Sequence, residues 1–167
     1  MLFLIAAVEF VRNLLHNKNR VNHQKGVFKI EVLDERIDEI RNKKGFICDM
    51  DGVIYHGNRL LPGVKEFVEW LYRENKKFLF LTNSSDRSPR DLQQKLQRMG
   101  LDIDETHFYT SAQATARFLN SQSPGCSAYV MGEAGLMNAL YEVGITMNDT
   151  TPDYVVIGEP KSYNYEM

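Results

Sequence analysis

Asp49 and Asp51 stand two residues apart, directly after the apolar run Gly45-Phe46-Ile47-Cys48. A strand of that composition carries both acids at its carboxyl end, which is where open parallel sheets bind their ligands. An aspartate so placed can attack phosphorus, forming an aspartyl-phosphate and dividing a hard hydrolysis into two easier steps. The second carboxylate, within the same turn, can reach the leaving oxygen and later the attacking water. Gly52 lets the backbone turn sharply from the strand and approach a ligand closely. A carboxylate and a phosphate repel each other, so this chemistry calls for a hard cation with oxygen ligands, Mg²⁺. A second apolar run, Lys77-Phe78-Leu79-Phe80-Leu81, ends in Thr82-Asn83-Ser84-Ser85. Thr82 and Asn83 would bring hydroxyl and amide donors to the same sheet edge, to hold phosphoryl oxygens. Tyr55 and His56 open the polar stretch Tyr55-His56-Gly57-Asn58-Arg59, which suits a substrate-side loop or short hairpin.

The elements that must position these groups follow a strand–helix rhythm. Leu33, Ile37 and Ile40 recur at helical spacing ahead of the first strand. Pro62 is expected in the first turn of a helix whose buried stripe is Val64, Phe67, Val68 and Leu71. Trp70 is read as core. After the strand at 77–81, Ser88 is the expected N-cap, Pro89 the first helical residue and Asp91 the acid of a capping box. Leu92, Leu96 and Met99 face inward and Gly100 ends the helix. A short strand at 107–109 and a helix over 111–120 follow. Units of about 30 residues that alternate strand and helix are the pattern of right-handed crossovers in a parallel sheet. Ser121-Gln122-Ser123-Pro124-Gly125 is the best linker candidate. Beyond it come a strand at 127–131, a helix with Leu136, Leu140 and Val143 inward, and a strand at 154–157. The expected organisation is an N-terminal extension over 1–30, an α/β core over 31–124 and the start of a second α/β unit over 125–167.

Composition narrows the classes. The chain has 167 residues, 43% of them hydrophobic, with net charge −2. That supports a real core and excludes the electrostatic signature of a nucleic-acid binder. Cys48 and Cys126 lie in apolar segments and form no metal or redox pattern, so they read as buried thiols in a reducing, cytoplasmic setting. The apolar start Leu2–Val8 lacks a basic leader and runs into Glu9 and Arg12, too short for the about 20 residues that span a bilayer. No membrane partner is expected. The basic stretch from Arg12 to Lys29, with His16 and His23, reads as a solvated tail.

The ordered set of motifs resembles the haloacid dehalogenase-like hydrolases: Asp49-Met50-Asp51-Gly52 after an apolar strand, and Thr82-Asn83 closing the next. Within them Leu81-Thr82-Asn83-Ser84-Ser85, Tyr109-Thr110-Ser111-Ala112-Gln113-Ala114-Thr115 and Tyr129-Val130-Met131-Gly132-Glu133 are similar to the NagD-like phosphatases. The resemblance runs from about Gly45 to the last residue. It implies a Rossmann-like parallel-sheet core with the beginning of an α/β cap from about Gly125. It also implies that Asp49 is nucleophile and Mg²⁺ ligand, and that Asp51 is general acid/base while its backbone carbonyl serves the metal. Thr82 and Asn83 would bind phosphate. Dehalogenases of this superfamily lack the second acid, so Asp51 favours phosphate ester hydrolysis over dehalogenation; the expected substrate is a small phosphorylated metabolite, a sugar phosphate or nucleotide. Related caps often contribute to dimer contacts, which leaves a homodimer through the cap open.

Family members continue into a lysine and a Gly-Asp acidic motif that complete the metal site, and these are not found here. Lys161 falls in the cap-like segment and is not that lysine. The expectation is therefore a fragment, weakly active or inactive, of a working phosphatase. Its rival is a catalytically dead binding or scaffold protein. A signalling receiver domain also gathers aspartates at a sheet edge, but takes them from two separate strands, whereas Asp49 and Asp51 share one.

Overall fold

The computed structural model describes residues 37–159. The extension over 1–30, the first half of the Leu33–Ile40 helix and the segment holding Lys161 lie outside them. The chain divides into two compact units, Met1–Leu79 and Phe80–Met167.

In the first unit, residues 37–41 are helical and lead into β1 (Gly45–Asp49). A two-stranded antiparallel hairpin follows, β2 (Tyr55–His56) and β3 (Arg59–Leu60), then α1 (Val64–Arg73) and the first half of β4 (Lys77–Thr82). The apolar spacing of α1 buries Val64, Phe67, Val68, Trp70 and Leu71, as the sequence stripe requires. Phe46 of β1 meets Trp70 edge-on at 5.5 Å, which fixes the helix against the strand. Helix α1 begins later than the sequence suggests. Its N-cap is Gly63 at φ 84°, a left-handed conformation that a helix cannot include, so Pro62 falls in the turn before it. Lys77 N–H donates to Lys44 O at 3.1 Å where β4 starts beside β1. Cys48 is buried, while Ile47, its neighbour on the opposite face, is exposed.

In the second unit, the end of β4 pairs in parallel with β5 (Phe108–Thr110), register Phe80 to Phe108 and Thr82 to Thr110. Between them runs α2 (Pro89–Arg98), capped as expected: Ser88 Oγ accepts from Asp91 N–H, and Asp91 Oδ2 accepts from Ser88 N–H. Leu92 and Leu96 are buried, and Gly100 at φ 83° lets the chain leave the helix. Helix α3 (Ser111–Gln122) has a second capping box, Thr110 with Gln113. Then come β6 (Ser127–Met131), α4 (Ala134–Glu142), β7 (Thr146–Met147) and β8 (Tyr154–Ile157). These strands form a parallel sheet in the order β7-β6-β8, a parallel architecture of the kind the sequence rhythm requires. The short β7 was not foreseen, since two residues carry no period.

One core unites α3, α4 and this sheet: Ala112, Ala116 and Leu119 pack in the same cluster as Ala128, Leu136, Leu140, Ile145 and Val156. The 123–125 loop is tied down as well, with Ser123 Oγ and Tyr154 Oη 2.8 Å apart. On the opposite face of β8, Val155 and Ile157 are exposed. No helix among the described residues is long and apolar enough to cross a membrane.

Candidate active site

Asp49 ends β1 and Asp51 follows it at the start of the turn, with burial alternating from Cys48 through Asp51. Met50 is fully buried, so the peptide bearing both carboxylates is anchored from beneath; Asp49 is half-buried and Asp51 exposed. The turn after β1 closes on the Met50 carbonyl, which accepts N–H bonds from Val53 at 3.2 Å, Ile54 at 2.8 Å and Tyr55 at 3.3 Å. Gly52, at φ 78°, donates its N–H to Tyr55 O at 2.8 Å, a geometry that favours glycine.

Both carboxylates are partly held. Asp49 Oδ1 accepts the Met50 N–H at 2.9 Å, and Asp51 Oδ2 accepts the Tyr55 hydroxyl at 3.2 Å. Tyr55 itself is buried, while His56 is exposed on the β2–β3 hairpin opposite Arg59. The structure thus brings Asp49, Asp51, Gly52, Tyr55 and His56 into one turn and hairpin.

Thr82 and Asn83 lie in the second unit. Thr82 ends β4 and is buried; its Oγ1 accepts the Ser84 N–H at 3.2 Å. Asn83 is exposed, and its carbonyl accepts the Ser111 hydroxyl at 2.8 Å. Ser85 is buried, with Oγ accepting the Glu159 N–H at 3.1 Å. The roles of Ser111 and Ser85 went unread in the sequence, where a lone serine gives no signal.

The donor set suits a hard cation. Among the described residues no group of three or more His, Cys, Asp or Glu converges as a metal site. The Asp49 carboxylate and the Asp51 backbone carbonyl are oxygen donors of the kind Mg²⁺ takes, since that ion keeps several waters and needs only one or two protein carboxylates beside substrate phosphate.

The parallel β4–β5 and β7-β6-β8 pairings, with two carboxylates at and just after the end of β1, define an α/β scaffold. The profile of the haloacid dehalogenase-like hydrolases matches residues 46–146, and the chain belongs to that family. It is 42% identical over 124 residues to the ribonucleotide monophosphatase NagD of Escherichia coli K12, covering 74% of this chain and 49% of that protein. It is 43% identical over 121 residues to a dihydroxyacetone phosphatase of Corynebacterium glutamicum, covering 72% and 44%. Its fold matches the solved structure of E. coli NagD at TM-score 0.69 and 41% identity, over 74% of this chain and 49% of that one. A glycerol phosphate phosphatase of Mycobacterium tuberculosis, solved with magnesium, matches at TM-score 0.69 and 25% identity, over 75% and 39%. The chain spans about half the length of the curated relatives it matches.

Proposed function

We propose that the protein hydrolyses phosphomonoesters of small metabolites, sugar phosphates or nucleotides, with Asp49 as nucleophile and Asp51 as general acid and base. The observation that carries this reading is the pair of carboxylates flanking buried Met50 on the Gly52 turn. The names of the relatives, a ribonucleotide monophosphatase, a dihydroxyacetone phosphatase and an acid sugar phosphatase, support the substrate class.

In this reading an Asp49 carboxylate oxygen attacks phosphorus, the bond from phosphorus to the ester oxygen breaks, and the Asp51 carboxyl gives that oxygen its proton. The Asp51 carboxylate then takes a proton from water as the water attacks phospho-Asp49, freeing inorganic phosphate and restoring both acids. With Oδ1 of Asp49 bonded to Met50 N–H, the second oxygen is the better placed to react. Thr82 and Asn83 bind the phosphoryl oxygens. Because Thr82 Oγ1 already accepts from Ser84, its own hydrogen can go to phosphate. Mg²⁺, held by the Asp49 carboxylate and the Asp51 backbone carbonyl, would offset the repulsion between carboxylate and phosphate.

The α/β sandwich of β6, α4 and β8 is where a substrate-selecting cap would begin, and α3, which shares its core, goes with it. Buried free Cys48 and Cys126 accord with a cytoplasmic protein. The cap is also the surface through which a homodimer would form, and light scattering reads it.

The test is Mg²⁺-dependent release of p-nitrophenol from p-nitrophenyl phosphate by the 167-residue chain, beside Asp49→Asn and a chelator blank. At most weak turnover is expected, and both controls should abolish it. Turnover that survives Asp49→Asn would rule out Asp49 as nucleophile.

A further inference from the structure

The loop carrying Thr82 and Asn83 is braced from three places, all within the second unit. At the start of α3, the Ser111 hydroxyl donates to the Asn83 carbonyl at 2.8 Å. At the end of β8, the Glu159 N–H donates to Ser85 Oγ at 3.1 Å, and a Cβ on the preceding Gly158 would lie 2.8 Å from that same oxygen. In the first turn of α4, Gly135 is pressed on the loop backbone: a Cβ there would lie 2.6 Å from Arg87 N and 2.7 Å from Arg87 C and Asp86 C. Contacts to backbone cannot be relieved by a rotamer change, and carbon atoms in contact sit about 3.5–4.0 Å apart. The close seating of 85–87 on α4 and β8 therefore depends on the missing side chain at Gly135 and the hydroxyl at Ser85. The loop's own bonds carry that seating back toward Thr82, since Ser84 N–H reaches Thr82 Oγ1 at 3.2 Å and the Ser84 hydroxyl is bonded to Asp86.

We propose that Gly135 and Ser85 are positioning residues for the phosphate-binding pair Thr82–Asn83, locking the loop between them onto α4 and β8. Neither touches phosphate. The proposal rests on the phosphate-binding role given above to Thr82 and Asn83. The loop sits on the sandwich through contacts far apart in sequence, so a displacement of α4 or β8 shifts the phosphate donors with it. A misplacement of about 1 Å at such donors can cost on the order of a hundredfold in function.

The experiment compares Gly135→Ala, Ser85→Ala and Thr82→Ala with the unaltered chain, following backbone amide resonances without ligand and the affinity for inorganic phosphate. Alanine is a better helix former than glycine, so α4 itself gains from Gly135→Ala, while the nearest atoms the added methyl meets are all backbone of the loop. The expected result is movement of the Thr82, Asn83 and Ser85 amide resonances in ligand-free Gly135→Ala, with phosphate affinity down about tenfold or more. Ser85→Ala should move the Thr82 and Asn83 resonances less and weaken phosphate by about threefold. Should Gly135→Ala not fold, Ser85→Ala decides by the same readout. Folded variants with unmoved Thr82 and Asn83 resonances would overturn the brace. Phosphate affinity unchanged by Thr82→Ala, with those resonances moved by Gly135→Ala, would instead sink the phosphate-binding reading and leave the brace standing.

Discussion

The hydroxyl of Tyr55 donates to Oδ2 of Asp51 across 3.2 Å, although the tyrosine lies in the core and the aspartate in solvent. Its backbone carbonyl meanwhile takes the Gly52 N–H, so one residue holds both the turn and the acid that the turn presents. The sequence placed Tyr55 in a loop or short hairpin beside the site; in the structure it lies on the β2–β3 hairpin with its ring buried and its hydroxyl on Asp51.

Tyr55→Phe keeps the ring and removes that hydroxyl. A hydrogen bond of about 1 kcal/mol corresponds to about a fivefold effect, expected in kcat with KM nearly unchanged, since Asp51 acts on protons rather than on binding. Steady-state kinetics on an aryl phosphate reads the split. A raised KM at constant kcat would mean that Tyr55 contacts substrate after all.

Ser88→Ala removes the α2 cap and should lower stability at neutral pH by about 1 kcal/mol, measured by urea unfolding. The Ser88 hydroxyl, and then its N–H, hold the Asp91 carboxyl below its ordinary range. A depressed carboxyl stabilises the fold above its unfolded-state value, about 3.9, and that contribution is lost as pH falls through the lower native value. Part of it disappears with the serine hydroxyl. The gap between Ser88→Ala and the unaltered chain should therefore narrow below that pH, and a gap that widens there would contradict the assignment.

Burial pushes the Cys48 thiol up to about 11. The unfolded chain ionises this group near 8.5 while the native chain keeps its proton, so stability should fall between those values as pH rises. Cys48→Ala, though less stable throughout because of the lost side chain, should show a shallower alkaline decline. Alkylation of native Cys48 at neutral pH should be far slower than in urea; equal rates would mean that the thiol is accessible.

Much of the fold was legible in residues close together along the chain. Ser88, Pro89 and Asp91 announced α2 because a capping box is a bond between residues three apart, written in local backbone angles. The stripe of α1 and the bounds of β6 and β8 were likewise readable, since helical spacing and short apolar runs report which face is buried. The place of Asp49 at the end of β1 was legible in the same way, from the apolar run that precedes it.

Other features depend on contacts that no local pattern encodes. Pro62 falls before the helix because Gly63 adopts a left-handed conformation between them, and no local sequence pattern required it. The bond from Glu159 to Ser85 joins residues 74 apart, and the fit of Gly135 on Asp86 and Arg87 exists only once α4 has packed. The types and order of the reactive residues were thus fixed by the chain alone. How Tyr55 steadies Asp51 and how the Thr82–Asn83 loop is held arise only on folding, because ring burial and long-range closure depend on the packing of whole elements rather than on neighbours along the chain.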